Sequence, residues 1–120
     1  QPDSDPKGIS DEGMTRLFKT WKANGHKGLV SVDLHGNYMC GTAALEALIE
    51  HSAPTLEYLN ISGWGQVSHG ALGSLGAECK KLRTLDLGWC RDLTDYGMRD
   101  ILNGCDELKL VTVWGKSFCF

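Results

Sequence analysis

The side chains with the widest chemical range in this 120-residue sequence are four histidines, at 26, 35, 51 and 69, and five cysteines, at 40, 79, 90, 105 and 119. Such residues can hold a metal ion or set a thiol nucleophile beside an imidazole base. Their spacing offers no HxxxH or HExxH helix and no CxxC pair, so zinc-ligand patterns are missing. Cys90 with His69 is the pair that could supply a nucleophile and its base, a reading that spacing alone leaves open. The glycines from Gly73 to Gly76 are not followed by Lys-Ser or Lys-Thr, so a phosphate loop is unsupported. An odd cysteine count without paired spacing points to free, mostly buried thiols in a reducing compartment rather than a disulfide framework. Arg16, Lys19, Lys22 and Lys27 make a local basic cluster, read either as a DNA-backbone contact or as a solvated convex face. With a net charge of −3, such a cluster would bind nucleic acid only weakly and with strong salt dependence. No catalytic, cofactor or metal site is expected.

What positions these residues is a repeat. Leu29-Val-Ser-Val32-Asp-Leu34, Leu56-Glu-Tyr-Leu59-Asn-Ile61, Leu82-Arg-Thr-Leu85-Asp-Leu87 and Leu108-Lys-Leu-Val111-Thr-Val113 all read LxxLxL with apolar swaps, their starts 27, 26 and 26 residues apart. That motif and period are the pattern of leucine-rich repeats, in which a short strand and a helix alternate to build a curved solenoid. Between the strands lie helical stripes: Met14, Leu17, Phe18 and Trp21; Leu45, Leu48 and Ile49; Leu72, Leu75 and Cys79; Met98, Ile101, Leu102 and Cys105. Their i, i+3, i+4, i+7 spacing turns one apolar face toward the strands. Cys79 and Cys105 are thereby core-facing.

Ser10, Ser68 and Thr94 each stand four residues before Met14, Leu72 and Met98, where a hydroxyl can cap the helix. Ile9, Val67 and Leu93 precede them as apolar anchors. In the second repeat these places read Cys40 and Gly41, a weaker cap. The expected architecture is an α/β, ribonuclease-inhibitor-like solenoid of about four uncapped repeats cut from a longer array. Short parallel strands line its concave face and helices its convex face. Residues 1–8 read as a frayed connector, 9–115 as repeats of about 26 residues, and 116–120 as a tail that fits no repeat position. The open edge of the last strand and the bare first stacking face predict marginal stability or self-association.

The third repeat, from Cys79-Lys-Lys-Leu82 through Leu85-Asp-Leu87-Gly-Trp-Cys90-Arg-Asp-Leu93-Thr94-Asp95, resembles the cysteine-containing subclass of leucine-rich repeats, CxxLxxLxLxxCxxLTD. This subclass is typical of F-box proteins, the substrate receptors of cullin-type ubiquitin ligases. The wording Leu56-Glu-Tyr-Leu-Asn-Ile-Ser-Gly-Trp64, Leu85-Asp-Leu-Gly-Trp-Cys-Arg91 and Val113-Trp-Gly115 is similar to the C-terminal repeats of a fungal family, the leucine-rich-repeat radiation-sensitivity proteins of global-genome nucleotide excision repair. The likeness runs from about Ile9 to Gly115. It implies a nuclear adaptor working with a damage-recognition factor and elongin/cullin-type ligase components. The alternative is the substrate-recognition repeats of an F-box receptor unrelated to DNA repair, in nucleus or cytoplasm. One column departs from the pattern: after the strand it reads Asn37, Trp64, Cys90 and Lys116, where Cys or Asn would satisfy the turn.

In LxxLxL strands the leucines point inward and the residues between them face the concave side. The exposed ladder is therefore Ser31, Asp33, His35; Tyr58, Asn60, Ser62; Thr84, Asp86, Gly88; and Leu110, Thr112, Trp114. Aromatic anchors among small polar groups suit a protein partner. The expected partner-binding residues are Tyr58, Asn60, Asp86, Thr112 and Trp114, with Trp64 and Trp89 at the rim. Those last two tryptophans have a second reading, as residues packed over the neighbouring repeat.

Overall fold

The computed structural model describes residues 8–90, 93–114 and 116–120. The expected connector at 1–8 therefore lies outside the described residues except for Gly8. Among the described residues the order is α1 (Asp11–Ala23), β1 (Ser31–Asp33), α2 (Thr42–Ser52), β2 (Tyr58–Asn60), α3 (His69–Glu78), β3 (Thr84–Asp86), α4 (Asp95–Gly104), β4 (Leu110–Val113) and β5 (Lys116–Cys119).

Three of the helices begin where a hydroxyl sits. Ser10 Oγ accepts from Gly13 N at 3.0 Å, Ser68 Oγ from Ala71 N at 3.1 Å, and Thr94 Oγ1 from Gly97 N at 3.1 Å. Each satisfies a backbone donor that the first helical turn leaves orphaned. Helix α2 has Gly41 at its cap and no side chain of its own to serve. Asp11, from the repeat before, fills the role: its Oδ1 accepts from the N–H of Gly41 and of Ala44, each at 2.9 Å. The carboxylate also meets the positive end of the α2 dipole. The anchors before the caps differ with position in the stack. Val67 is buried and Leu93 half-buried, whereas Ile9 is exposed, on the outer side of the first layer.

Strands β1 to β4 pair in parallel without stagger, so that Ser31, Tyr58, Thr84 and Leu110 form one row. Val32, Leu59, Leu85 and Val111 form the next, and Asp33, Asn60, Asp86 and Thr112 the third. The middle row is buried and meets the helical stripes, including Met14, Phe18, Leu45, Leu48, Leu72, Leu75 and Ile101. Cys79 and Cys105 lie in this core, as their spacing requires. Helices α3 and α4 come close because two positions lack side chains. A Cβ on Gly104 would collide with the Gly76 carbonyl, and one on Gly76 with that of Asp100.

The expectation of an open last strand is corrected at the sheet edge. Residues 116–120 are more than a tail: β5 turns back and pairs antiparallel with β4, Thr112 opposite Ser117 and Val111 opposite Phe118. Residues directly opposite share a face of the sheet, so Phe118 follows Val111 toward the core side. The backbone groups that β4 would otherwise leave unpaired supply the reason for this closure. Among the described residues, no helix covers the helix layer at the same end. Met98, Leu102, Val113, Phe118 and Phe120 line an apolar groove of about 370 Å³ there. Leu102, placed on the core-facing stripe by its spacing, is 46 % exposed because no further helix among the described residues covers it.

Candidate functional site: the concave face

The concave face consists of the two outer rows of the parallel ladder and their continuation past the strand ends. Within it, side chains close the first three strands in the same way. Asp33 Oδ1 accepts from His35 N at 3.2 Å, Asn60 Oδ1 from Ser62 N at 3.0 Å, and Asp86 Oδ1 from Gly88 N at 2.8 Å. These are Asx turns, which bend the chain away from the sheet. Asn60 and Asp86 are therefore half-buried turn formers. His35 Nδ1 also donates to Asp33 Oδ1 at 2.6 Å. That bond holds the Asp33 carboxyl below its ordinary value and raises the His35 imidazole above its own. Thr112 Oγ1 meets Ser117 Oγ at 2.9 Å, tying the last row to β5. Tyr58 and Thr112 are half-buried, Trp114 is 46 % exposed and Trp89 is 65 % exposed.

Trp64 is a correction. It was expected at the rim of the binding face, and the structure buries it completely. Its Nε1 donates to the Leu34 carbonyl at 2.8 Å, the oxygen that Asn37 Nδ2 also reaches at 2.8 Å. One repeat further on, Cys90 Sγ donates to the Ile61 carbonyl at 3.4 Å. The column Asn37, Trp64, Cys90 thus uses three different donors for the carbonyls that end the strands, and the indole of Trp64 belongs to the stack. Trp89, by contrast, is largely exposed among the described residues.

Sequence reasoning missed what holds Trp89 in place. The positions after the Asx turns are Gly36, Gly63 and Trp89, with φ of +80°, +80° and +63°. This left-handed region suits glycine and strains a residue with a Cβ. Two glycines at the 27-residue interval were visible in the sequence and marked the column. Among the described residues, Trp89 and Trp114 are the non-glycine residues with positive φ, and both are exposed.

The nucleophile reading finds no support in the local geometry. Burial pushes the Cys90 thiol up to about 11, Cys40 and Cys105 likewise to about 11, and Cys79 to about 12. A thiol so far from ionising is a poor nucleophile. His69 is engaged elsewhere, with Nε2 3.5 Å from Asp100 Oδ2 and its ring stacked on Tyr96. Among the described residues, no group of three or more His, Cys, Asp or Glu side chains gathers to hold a metal. The basic cluster is partly spoken for, since Arg16 pairs with Glu12 and Lys22 with Glu50 on the surface.

Two comparisons bear on the architecture. A family model described as Leucine Rich repeat matches residues 78–102, the stretch that carries β3 and most of α4. A chain in the crystal structure of the Rad7 and Elc1 complex in yeast superposes with a TM-score of 0.77. The match covers 90 % of this chain and 26 % of that one, at 21 % identity. The chain is a leucine-rich-repeat solenoid. At the sequence level the solenoid is 26 % identical over 110 residues to the DNA repair protein rhp7 of Schizosaccharomyces pombe, covering 91 % of this chain and 19 % of the relative. A 52-residue stretch is 49 % identical to F-box/LRR-repeat protein 4 of Bos taurus, covering 38 % of this chain and 8 % of the relative. The solenoid therefore spans less than a fifth of the length of either curated relative.

Proposed function

We propose that this solenoid is the partner-recognition segment of an adaptor in nucleotide excision repair, linked to a cullin-type ubiquitin ligase and acting in the nucleus. The observation that carries the reading is the in-register concave ladder: Tyr58 stands in one outer row and Asn60, Asp86 and Thr112 in the other, with Trp89 and Trp114 just past the strand ends. Such a surface binds a protein through a few aromatic anchors set among small polar groups. The similarity to rhp7 over nearly the whole chain supports the repair context. The partners are a damage-recognition factor, elongin/cullin-type ligase components or a ubiquitination substrate, with no cofactor, no membrane and no direct nucleic-acid contact from these repeats. A second reading, an F-box substrate receptor unrelated to repair, is favoured by the higher identity to F-box/LRR-repeat protein 4 across a shorter stretch.

The test is capture from a fungal nuclear extract with the parent chain and with a Tyr58→Ala/Trp114→Ala form checked for folding by circular dichroism. Repair or ligase components recovered by the parent alone support the adaptor. Equal recovery by both forms removes the concave face as the site.

A further inference from the structure

The two ends of the solenoid differ in chemistry. The exposed positions of α1 hold Glu12, Arg16, Lys19 and Thr20. At the opposite end Leu102, Trp114, Phe118 and Phe120 line one groove and remain 46 %, 46 %, 50 % and 63 % exposed. An aromatic side chain has roughly 150–250 Å² to bury, so these four leave on the order of 400 Å² of apolar surface per chain. Patches of this size commonly serve binding.

Beside the groove runs the outer edge of the sheet, and its backbone groups can be counted. Leu110 N donates to Arg83 O at 3.1 Å and Thr112 O accepts from Leu87 N at 2.8 Å, so both residues face β3. On the other side of β4, Lys109 O accepts from Phe120 N at 2.8 Å. Strand residues send their backbone groups to alternate sides. With Val111 opposite Phe118 and Val113 opposite Lys116, Phe118 and Lys116 therefore face β4. Ser117 and Cys119 each direct an N–H and a C=O outward, on a strand exposed along its whole length. Such an edge is a template for a further strand. Two copies of it related by a two-fold axis meet antiparallel. With Ser117 opposite the second copy's Cys119, all four outward groups on each edge are paired. Phe118 then meets its own counterpart, and Lys116 meets Phe120, so like charges are not opposed. Stacking α1 of one copy on the groove of the next would instead press charged residues onto apolar ones.

We infer that the groove and the outer edge of β5 together form a self-association face, on which a second copy of this chain docks about a two-fold axis with β5 against β5. The sheet then runs on through both copies. It sets α4 and its counterpart three strand spacings apart, about 14 Å, against roughly 8–10 Å for helices in contact. Phe118 and Phe120, which lie on the groove side of β5, fill the difference from both copies. The apolar patch is about half of the ~800 Å² that each partner buries in a standard interface, so the dimer is weak and forms at micromolar concentrations. This goes beyond the adaptor reading and does not depend on it, since the concave ladder stays open in both copies.

Sedimentation equilibrium of the full chain, with reductant present and at concentrations from micromolar to millimolar, tests the inference. The expected result is a reversible monomer–dimer equilibrium with no larger species. Cys119→Pro removes an outward N–H and leaves the bonds to β4 in place. Leu102→Glu, on α4, brings a carboxylate from each copy to the closed groove. Each should raise the dissociation constant about tenfold or more, and circular dichroism of the dilute protein should be unchanged. Ser117→Cys reads the register directly. It stands opposite the second copy's Cys119 at a separation a disulfide can span, so oxidised glutathione should give a covalent dimer that the parent does not form. A chain that stays monomeric at millimolar concentration overturns the inference. So does growth past the dimer, or a dimer that ignores both Cys119→Pro and Leu102→Glu. Should either of these fail to fold, the other substitution and the cross-link decide.

Discussion

Two consecutive turns contain nearly the same residues in a shifted order. After β2 the chain reads Ser62-Gly63-Trp64, and after β3 it reads Gly88-Trp89-Cys90. In the first, glycine takes the left-handed position and the tryptophan that follows is drawn inside, its indole N–H on Leu34. In the second, the tryptophan takes the left-handed position and points into solvent, while Cys90 does the inside work. A shift of one residue separates a stacking element from an exposed side chain. The comparison teaches that the column a side chain occupies decides its role in a repeat protein more firmly than its type.

Trp64→Ala should have the largest effect. It empties a fully buried site and strips the Leu34 carbonyl of one donor, so stability in urea should fall by about 3–5 kcal/mol. A loss under about 1 kcal/mol would mean the indole is replaceable there. Cys90→Ala removes a smaller buried group with a weaker bond to Ile61, and the expected loss is about 1–2 kcal/mol. If the two losses were equal, the column would not be graded by buried volume.

Trp89→Gly should act in the other direction. Relief of the left-handed strain is partly offset by the freedom glycine gains in the unfolded chain, so the outcome lies between no change and a gain of about 1 kcal/mol. A clear loss in thermal midpoint would show that Trp89 packs after all. The smallest effect belongs to the first turn, where Asp33 and His35, at the places of Asn60 and Ser62, are joined by a side-chain hydrogen bond. The carboxyl is depressed, so its contribution is present above its ordinary range and is lost as pH falls through the folded value. The imidazole is raised, so its contribution is full below its ordinary value and is lost as pH rises through the folded one. The stability difference between the parent and Asp33→Asn should therefore peak in mildly acid solution and shrink on either side. Unfolding midpoints that differ equally at every pH would contradict this.

Much of the architecture was legible because it is periodic. The LxxLxL copies put Val32, Leu59, Leu85 and Val111 in one buried row, and the serine and threonine caps lie where their spacing predicts. Features that escaped depend on partners outside their own repeat. Gly41 looked like a poor cap because its acceptor, Asp11, sits 30 residues earlier. Lys116 to Cys119 read as a tail because a strand that pairs antiparallel obeys no repeat column. Trp64 and Trp89 look alike in the sequence because both follow a strand. The glycines at 36 and 63 would have separated them, since they show which place tolerates only a left-handed backbone.

Asp11 has a further consequence, for the order in which the molecule comes apart. Helices α3 and α4 are closed by their own residues, so each can loosen at its start without depriving its neighbour of a cap. Helix α2 is closed by α1, and any excursion that lifts Asp11 frees the amides of Gly41 and Ala44 together. The first two helices should thus open together. Trimming the chain within α1 would raise amide exchange not only at the cut but at the start of the next helix, a whole repeat away.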